Sequence, residues 1–293
     1  MSSDGNSSES LPAPIGILAF DIDGTLADDS HDIPQEMLDF LNQIDPNKWV
    51  LSILTGRSLP YAKKAVAVLK RPYIIGAFNG SVIRTYPEKK LLYKKMIPPQ
   101  LVDYIRMVTD SVPHLHSSFF SNSGAIYVTS RHEEEHHSDH FHAADRVDIT
   151  SKDRIEHSCV MISIVGLKED MQHAQDLLSQ AKGITMTGVR SALIQGKWYC
   201  LLITQEEASK GHALEFLAKT YGNAQCPLFR IAAGDDMNDV PMFKVANTSI
   251  VMGHARGEVK DYANMIAPHP YTQGLIQAAQ EAMSEAERKA AGN

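Results

Sequence analysis

A chain of 293 residues, 43 % hydrophobic and 22 % charged, has the composition of an ordinary globular protein with room for one large or two compact domains, which excludes fibrous or extensively disordered architectures. Its formal net charge of −7 argues against a nucleic-acid partner, which needs a clustered positive surface, yet leaves room for a small phosphorylated substrate held by local charge. Cys159, Cys200 and Cys226 have no ligand-like spacing and cannot all pair, so a reducing compartment is expected.

Residues 1–13 are polar, with neither a basic start nor an apolar run. They are expected to form a disordered tail, not a secretory signal. No apolar stretch approaches bilayer length, so no membrane partner and a cytoplasmic location are expected. From Ile15 the chain alternates strand-like and helix-like segments. IGILAF reads as a buried strand, PQEMLDFLNQI as a helix, WVLSIL as a strand, PYAKKAVAVL as a helix and YIIGAF as a strand. Near the other end SKGHALEFLAKTY is helical, LFRIAAG a strand, NDVPMFKVA a helix, TSIVM a strand and LIQAAQEAMSEAERKA a closing helix. This rhythm predicts an α/β fold, a doubly wound, Rossmann-like parallel sheet covered on both faces.

The middle departs from the rhythm. QLVDYIRMV reads as a helix, two close strands flank Ser123-Gly124, and a histidine-rich stretch follows. SCVMISIVG, a helix over 168–180 and two further strands ending in KWYCLLI complete it. Closely spaced strands with intervening helices predict an inserted α+β cap with antiparallel pairing. The expected division is a core of residues 14–96 and 206–293 and a cap of residues 97–205. Entry falls near Ile97-Pro98-Pro99 and exit near Gln205 to Ala208.

Asp21-Ile22-Asp23-Gly24-Thr25 directly follows the first strand. Ligands of parallel α/β sheets bind beyond the carboxyl ends of the strands. The i, i+2 spacing is expected to put both aspartates on one side of a continuing strand, with Gly24 allowing a sharp turn. Two carboxylates that close repel unless a cation lies between them, and Mg2+ suits an all-oxygen set. Capping aspartates at a strand end are the plain alternative. Gly234 to Asp239, GDDMND, follows a second buried strand and carries Asp235, Asp236 and Asp239. Alone it reads equally as an acidic turn capping the next helix. Two such clusters at strand ends are better explained by one shared metal. Thr55-Gly56-Arg57 offers a hydroxyl and a backbone amide suited to phosphate, though alone it is also a simple turn. Lys210 opens a helix, where the dipole favours anions, so a role facing carboxylates and phosphate is more informative than a solvated lysine.

In order along the chain, these motifs resemble those of the haloacid dehalogenase superfamily, and within it the Cof-type, sugar-phosphatase-like hydrolases. Phe78-Asn79-Gly80-Ser81, Ser209-Lys210-Gly211 and Val251-Met252-Gly253-His254-Ala255 add to the resemblance, with His254 where that branch usually has Asn. The resemblance runs from Ile15 to about Ala282 and is weak across the insert. It implies a Mg2+-dependent phosphatase acting on a small phosphorylated metabolite, a sugar phosphate being the commonest case. By that resemblance Asp21 is the nucleophile that becomes an aspartyl-phosphate, and Asp23 the general acid and base. Asp21, the Asp23 carbonyl and Asp235 ligate the metal. Thr55, Gly56 and Asn238 hold phosphate oxygens, and Lys210 neutralises the transferring group. Asp236 and Asp239 position Lys210 and the metal waters, and Asn79 is a further supporting residue.

Asp23 argues against a dehalogenase, whose halide leaving group needs no proton, and the lack of membrane segments argues against the transport ATPases. The cap lies between Thr55 and Lys210, an interval shared with phosphomannomutases, so a phosphomutase is the nearest rival. The cap arginines, Arg106, Arg131, Arg146, Arg154 and Arg190, are scattered, which favours hydrolysis. A catalytically inactive binding relative is disfavoured because no motif residue is lost. His132-Glu133-Glu134-Glu135-His136 matches a zinc-protease pattern, with His137, His140 and His142 close behind, but a charged solvent-facing segment explains it as well. Trp49, Met96 and Trp198 are expected in the core or between domains. Oligomeric state is not legible.

Overall fold

The computed structural model describes residues 14–27, 32–121, 125–129, 146–149, 159–189, 198–223, 225, 227–269 and 271–292. The expected tail, the Ser123-Gly124 turn and the His132–His142 segment lie outside them, as do Arg131, Arg154, Arg190 and Cys226.

Two sheets organise the chain. The first contains β1 (Gly16–Phe20), β2 (Trp49–Leu54), β3 (Tyr73–Ala77), β4 (Val82–Tyr86), β5 (Leu91–Lys94), β12 (Phe229–Gly234), β13 (Thr248–Met252) and β14 (Met265–Ala267). Their order is β14-β13-β12-β1-β2-β3-β4-β5. Every pairing from β14 to β3 is parallel, and β4 and β5 add antiparallel strands at one edge. Successive β1 residues face opposite sides: Leu18 and Phe20 join a cluster with α1 (Gln35–Gln43), α2 (Leu59–Ala65) and α8 (Tyr271–Ala291). Ile17 and Ala19 join another with α5 (Lys210–Tyr221), α6 (Val240–Val245) and α7 (Gly257–Lys260). Both faces are therefore covered, and the central strands are apolar on both sides, as a parallel sheet requires. Each fully buried Leu or Ile adds roughly 1.5–3 kcal/mol. Helix α8 packs through small residues, Gly274, Ala278, Ala282 and Ala286 recurring every four residues on its buried face with Ala279 beside them.

The β4–β5 hairpin was not legible as strands: its exposed outer strand, LLYK, carries no alternating apolar face. Its inner strand is fixed by a stacked Tyr73–Tyr86 cross-strand pair, 5.2 Å between ring centroids.

The second sheet has the order β10-β11-β9-β6-β7-β8, from β6 (His116–Ser121), β7 (Ile126–Thr129), β8 (Arg146–Ile149), β9 (Cys159–Leu167), β10 (Ile184–Val189) and β11 (Trp198–Gln205). All its pairings are antiparallel except β7–β8. Helices α3 (Pro99–Ser111) and α4 (Lys168–Leu178) cover one face, burying Val102, Ile105, Ile162, Ile164, Leu201 and Ile203. The other face turns to the first sheet: Phe120, Met161 and Leu202 belong to the same apolar cluster as Phe78 and Val82. This is an α/β core with an inserted α+β cap. The chain passes between the units at two neighbouring points, where Lys95 pairs with Glu207 and the Tyr93 hydroxyl donates to the Glu207 carbonyl at 2.7 Å. Among the described residues no helix is long and apolar enough to cross a membrane. Trp49 is buried as expected, whereas Met96 is exposed, since it sits on the linker and not under it.

Candidate active site

Asp21 follows β1 directly, and its amide donates to the Ala233 carbonyl at 3.0 Å, which holds the end of β1 beside β12. The strand does not continue through Asp23, contrary to the spacing argument. Amides of Thr25 and Ala27 return to the Ile22 carbonyl at 3.2 and 2.8 Å, closing a tight loop in which Ile22 is wholly buried. The turn depends on Gly24, whose φ is +71° and where a Cβ would lie 2.3 Å from Asp235 Oδ2. Only glycine takes this conformation without strain and lets the carboxylate approach. The two aspartates therefore part: Asp21 is 4 % exposed, while the Asp23 side chain is 44 % exposed.

Lys210 begins α5 and is fully buried. Its Nζ stands 2.7 Å from Asp21 Oδ1 and 2.6 Å from Asp239 Oδ1. The contact with Asp239 is a hydrogen bond; the one with Asp21 is charge contact without hydrogen-bond geometry, leaving Oδ1 short of a bonded partner among the described residues. Ser209 caps the helix, its Oγ accepting from the His212 amide at 3.1 Å. Burial disfavours the ammonium, but Asp21 and Asp239 outweigh it and raise the Lys210 pKa, so the charge is retained. Burial pushes Asp21 well above the usual carboxylate range against the pull of Lys210, with Asp239, Asp23 and Asp235 adding to the rise. Asp239 is raised by burial too, again opposed by Lys210. One ammonium beside three carboxylates leaves excess negative charge in a poorly solvated place.

Asp239 does not cap α6 with its side chain. It folds backward, Oδ2 accepting from the amides of Asp235 and Asp236 at 2.9 and 3.1 Å. Such a fold needs Gly234, where a Cβ would lie 2.4 Å from the Asp239 carboxyl carbon. With Oδ1 on Lys210, both Asp239 oxygens are committed. Ligand atoms of Asp21, Asp235 and Asp239 lie within 4.8 Å of one another, but Asp239 is too fully engaged to ligate an ion. Asp21 and Asp235 are the available pair. Asp235 is held lightly, by Thr25 Oγ1 at 3.5 Å and beside His254 Nε2 at 3.4 Å.

The Asp23 carboxylate lies apart from the Asp21, Asp235 and Asp239 group, held by Arg57 twice, Nε to Oδ2 at 2.9 Å and Nη2 to Oδ1 at 2.6 Å. Asp236 Oδ1 accepts from Arg256 at 3.0 Å and from the Met237 amide at 2.7 Å.

The phosphate-cradle candidates do converge. Thr55 is fully buried at the end of β2, and its Oγ1 accepts from the Arg57 amide at 3.1 Å. A methyl on Gly56 would lie 3.6 Å from Asn238 Nδ2 and equally close to Leu202 of the cap. Asn79 is buried in a left-handed conformation, φ 56°, its amide donating to the Thr55 carbonyl at 2.9 Å. Its Oδ1 has no hydrogen-bond partner among the described residues. Sequence reasoning gave no role to Arg57, Arg256 or Thr25. Arg57 stood inside a motif and Arg256 directly after one, but nothing in spacing alone shows which acid each would meet.

Carboxylates from two strand ends, a buried lysine and a hydroxyl–glycine turn at a third strand define a hydrolase-type site on an α/β sheet with a cap. The chain belongs to the haloacid dehalogenase-like hydrolase family, whose model matches residues 18–278. It is similar to an HMP-PP phosphatase of Enterobacter sp., 26 % identical over 243 residues, 82 % of this chain and 84 % of that one. Similarity to the phosphoglycolate phosphatase of Archaeoglobus fulgidus is 31 % identity over 110 residues, 38 % of this chain and only 47 % of that protein's length. A haloacid dehalogenase-like hydrolase from B. subtilis shares the fold, with a TM-score of 0.71 at 23 % identity, covering 89 % of this chain and 97 % of that one.

Proposed function

We propose that the protein is a Mg2+-dependent phosphatase that hydrolyses a small phosphorylated metabolite through an aspartyl-phosphate on Asp21. The observation that carries this is the buried Lys210, shared by Asp21 and Asp239 at the edge where Asp235 also arrives. The donor set fits a hard divalent cation: it is all oxygen, and its negative charge exceeds what Lys210 can balance. Asp21, Asp235 and the Asp23 carbonyl would hold the ion, which supplies charge neutralisation for the transferring phosphoryl oxygens.

The chain's own groups account for the rest. An Asp21 oxygen attacks phosphorus, and the bond from phosphorus to the ester oxygen breaks. Asp23 gives its proton to the departing alkoxide; as a carboxylate it then takes one from the water that attacks the phosphorus of the acyl phosphate. That releases inorganic phosphate and regenerates Asp21. Lys210, rigidly held, offsets the charge on Asp21 and the phosphoryl group. Thr55, the Gly56 amide and the Asn238 amide donate to its oxygens. A division into a core of 14–96 and 206–293 and a cap of 97–205 suits this chemistry, since the cap face bearing Leu202 and Phe120 packs with Phe78 and Val82 of the core and would limit the access of bulk water. The relatives named for phosphoglycolate and HMP-PP act on small phosphorylated compounds; a sugar phosphate belongs to the same range.

An assay of p-nitrophenyl phosphate and a panel of sugar phosphates tests the reading. Phosphate release should require Mg2+ and fall to background in Asp21→Asn, whose circular dichroism should match the wild type. Turnover undiminished by Asp21→Asn would refute it. A rearranged, still phosphorylated product in place of free phosphate would identify a mutase.

A further inference from the structure

His254 lies in the turn after β13 and has no part in the chemistry just described. Its ring is nonetheless placed with care. The Gly253 amide donates to the Ala267 carbonyl at 3.0 Å, and the Ala255 amide returns to Met252 at 3.0 Å, so the turn is pinned on both sides. A Cβ on Gly253 would lie 2.9 Å from the Ala267 carbonyl oxygen, which shows how closely the turn packs on β14. Tyr271, at the start of α8, meets the imidazole edge-on at 4.5 Å between centroids, with the planes at 67°. Held in this way, Nε2 stands 3.4 Å from Asp235 Oδ2. The next acid along is treated alike, Arg256 from the same turn reaching Asp236. One turn thus brings a nitrogen base and a guanidinium to two consecutive aspartates.

Asp235 needs such a partner. Its other contact is Thr25 at the 3.5 Å limit, and its side chain is 20 % exposed. Asp239 and Lys210, by contrast, are locked by short bonds. Direct ligation by His254 does not suit the arrangement, because its nitrogens are outside the group whose donor atoms lie within 4.8 Å of one another. Groups one step removed from an ion orient the carboxylates that ligate it and change affinity about 10–100-fold.

We propose that His254 is a positioning residue for the cation site: Nε2–H holds Asp235 Oδ2 and so fixes how Asp235 presents itself to Mg2+. This rests on the proposed function, in which Asp235 is a ligand. Isothermal titration of wild type, Asp235→Asn, His254→Ala and His254→Asn with Mg2+ alone tests it without reference to turnover. His254→Ala should weaken Mg2+ binding about 10-fold or more, with its urea midpoint in EDTA unchanged. His254→Asn, which keeps an N–H donor, should recover most of the loss. If Asp235→Asn loses binding while His254→Ala binds like the wild type, the inference fails and the cation site stands. Equal losses in both His254 variants would also overturn it, since the donor is then irrelevant. Undiminished binding by Asp235→Asn would overturn the site assignment itself.

Discussion

Replacing Lys210 by alanine tests what holds the site together. From sequence, Lys210→Ala is expected to cost rate far more than stability. Its complete burial between two carboxylates changes that expectation. Removing one partner of a buried ion pair costs about 3–5 kcal/mol, because the remaining charge keeps its desolvation penalty and loses its compensation. By the usual scaling of about 2–4 °C per kcal/mol, melting should fall by roughly 6–20 °C. The pH dependence has a definite sign. Asp21 and Asp239 are raised by burial in the folded state, so the fold binds their protons more tightly than the unfolded chain does. Their contribution favours folding below the unfolded value of about 3.9 and is lost as pH rises through the folded values. Without Lys210 those values rise further, so the variant's deficit should grow as pH rises. Urea denaturation by circular dichroism in EDTA, across a pH series, measures it. A loss below about 1 kcal/mol, or one independent of pH, would refute the view that Lys210 neutralises two buried acids. Adding Asp21→Asn to Lys210→Ala should recover part of the loss, since one of the uncompensated charges is then gone.

Gly24→Ala should cost about 1–3 kcal/mol for its left-handed backbone and displace Asp235, which a Cβ would meet at 2.3 Å. Mg2+ binding by calorimetry should weaken with it; unchanged binding would show that Asp235 has room to spare. Arg57→Ala releases the Asp23 carboxylate from both of its clamps, and a misplaced acid–base group costs about 10²-fold in rate. Steady-state kinetics should show that loss in kcat with little change in Mg2+ affinity. A rate equal to wild type would mean the clamp has no part in orienting Asp23.

The core was legible because its strands are continuous apolar runs and its helices periodic, the pattern that burial on both faces imposes. The edge escaped notice for the opposite reason, since LLYK at β5 carries no such signal. Convergence of Asp21, Asp235, Asp239 and Lys210 was readable from position alone, each falling at a strand end or a helix start. What position could not convey was direction. Whether Asp239 caps α6 or folds back depends on Gly234, and whether Asp23 joins Asp21 depends on Gly24. In both cases the glycine stands in the sequence, but the atom it makes room for comes from elsewhere. Arg57 and Arg256 were hidden for the same reason, because a charge in a loop names no partner until the fold supplies one.

The double commitment of Asp239 gives the catalytic edge two mechanically different walls. On one side the lysine, the folded-back acid and two main-chain amides form a closed set of short contacts, already satisfied before anything binds. On the other, the Asp235 carboxylate has only long contacts among the described residues, to Thr25 and His254. An incoming cation therefore has one fixed boundary to meet and one that can yield, and the adjustment that accompanies loading should be confined to the yielding half.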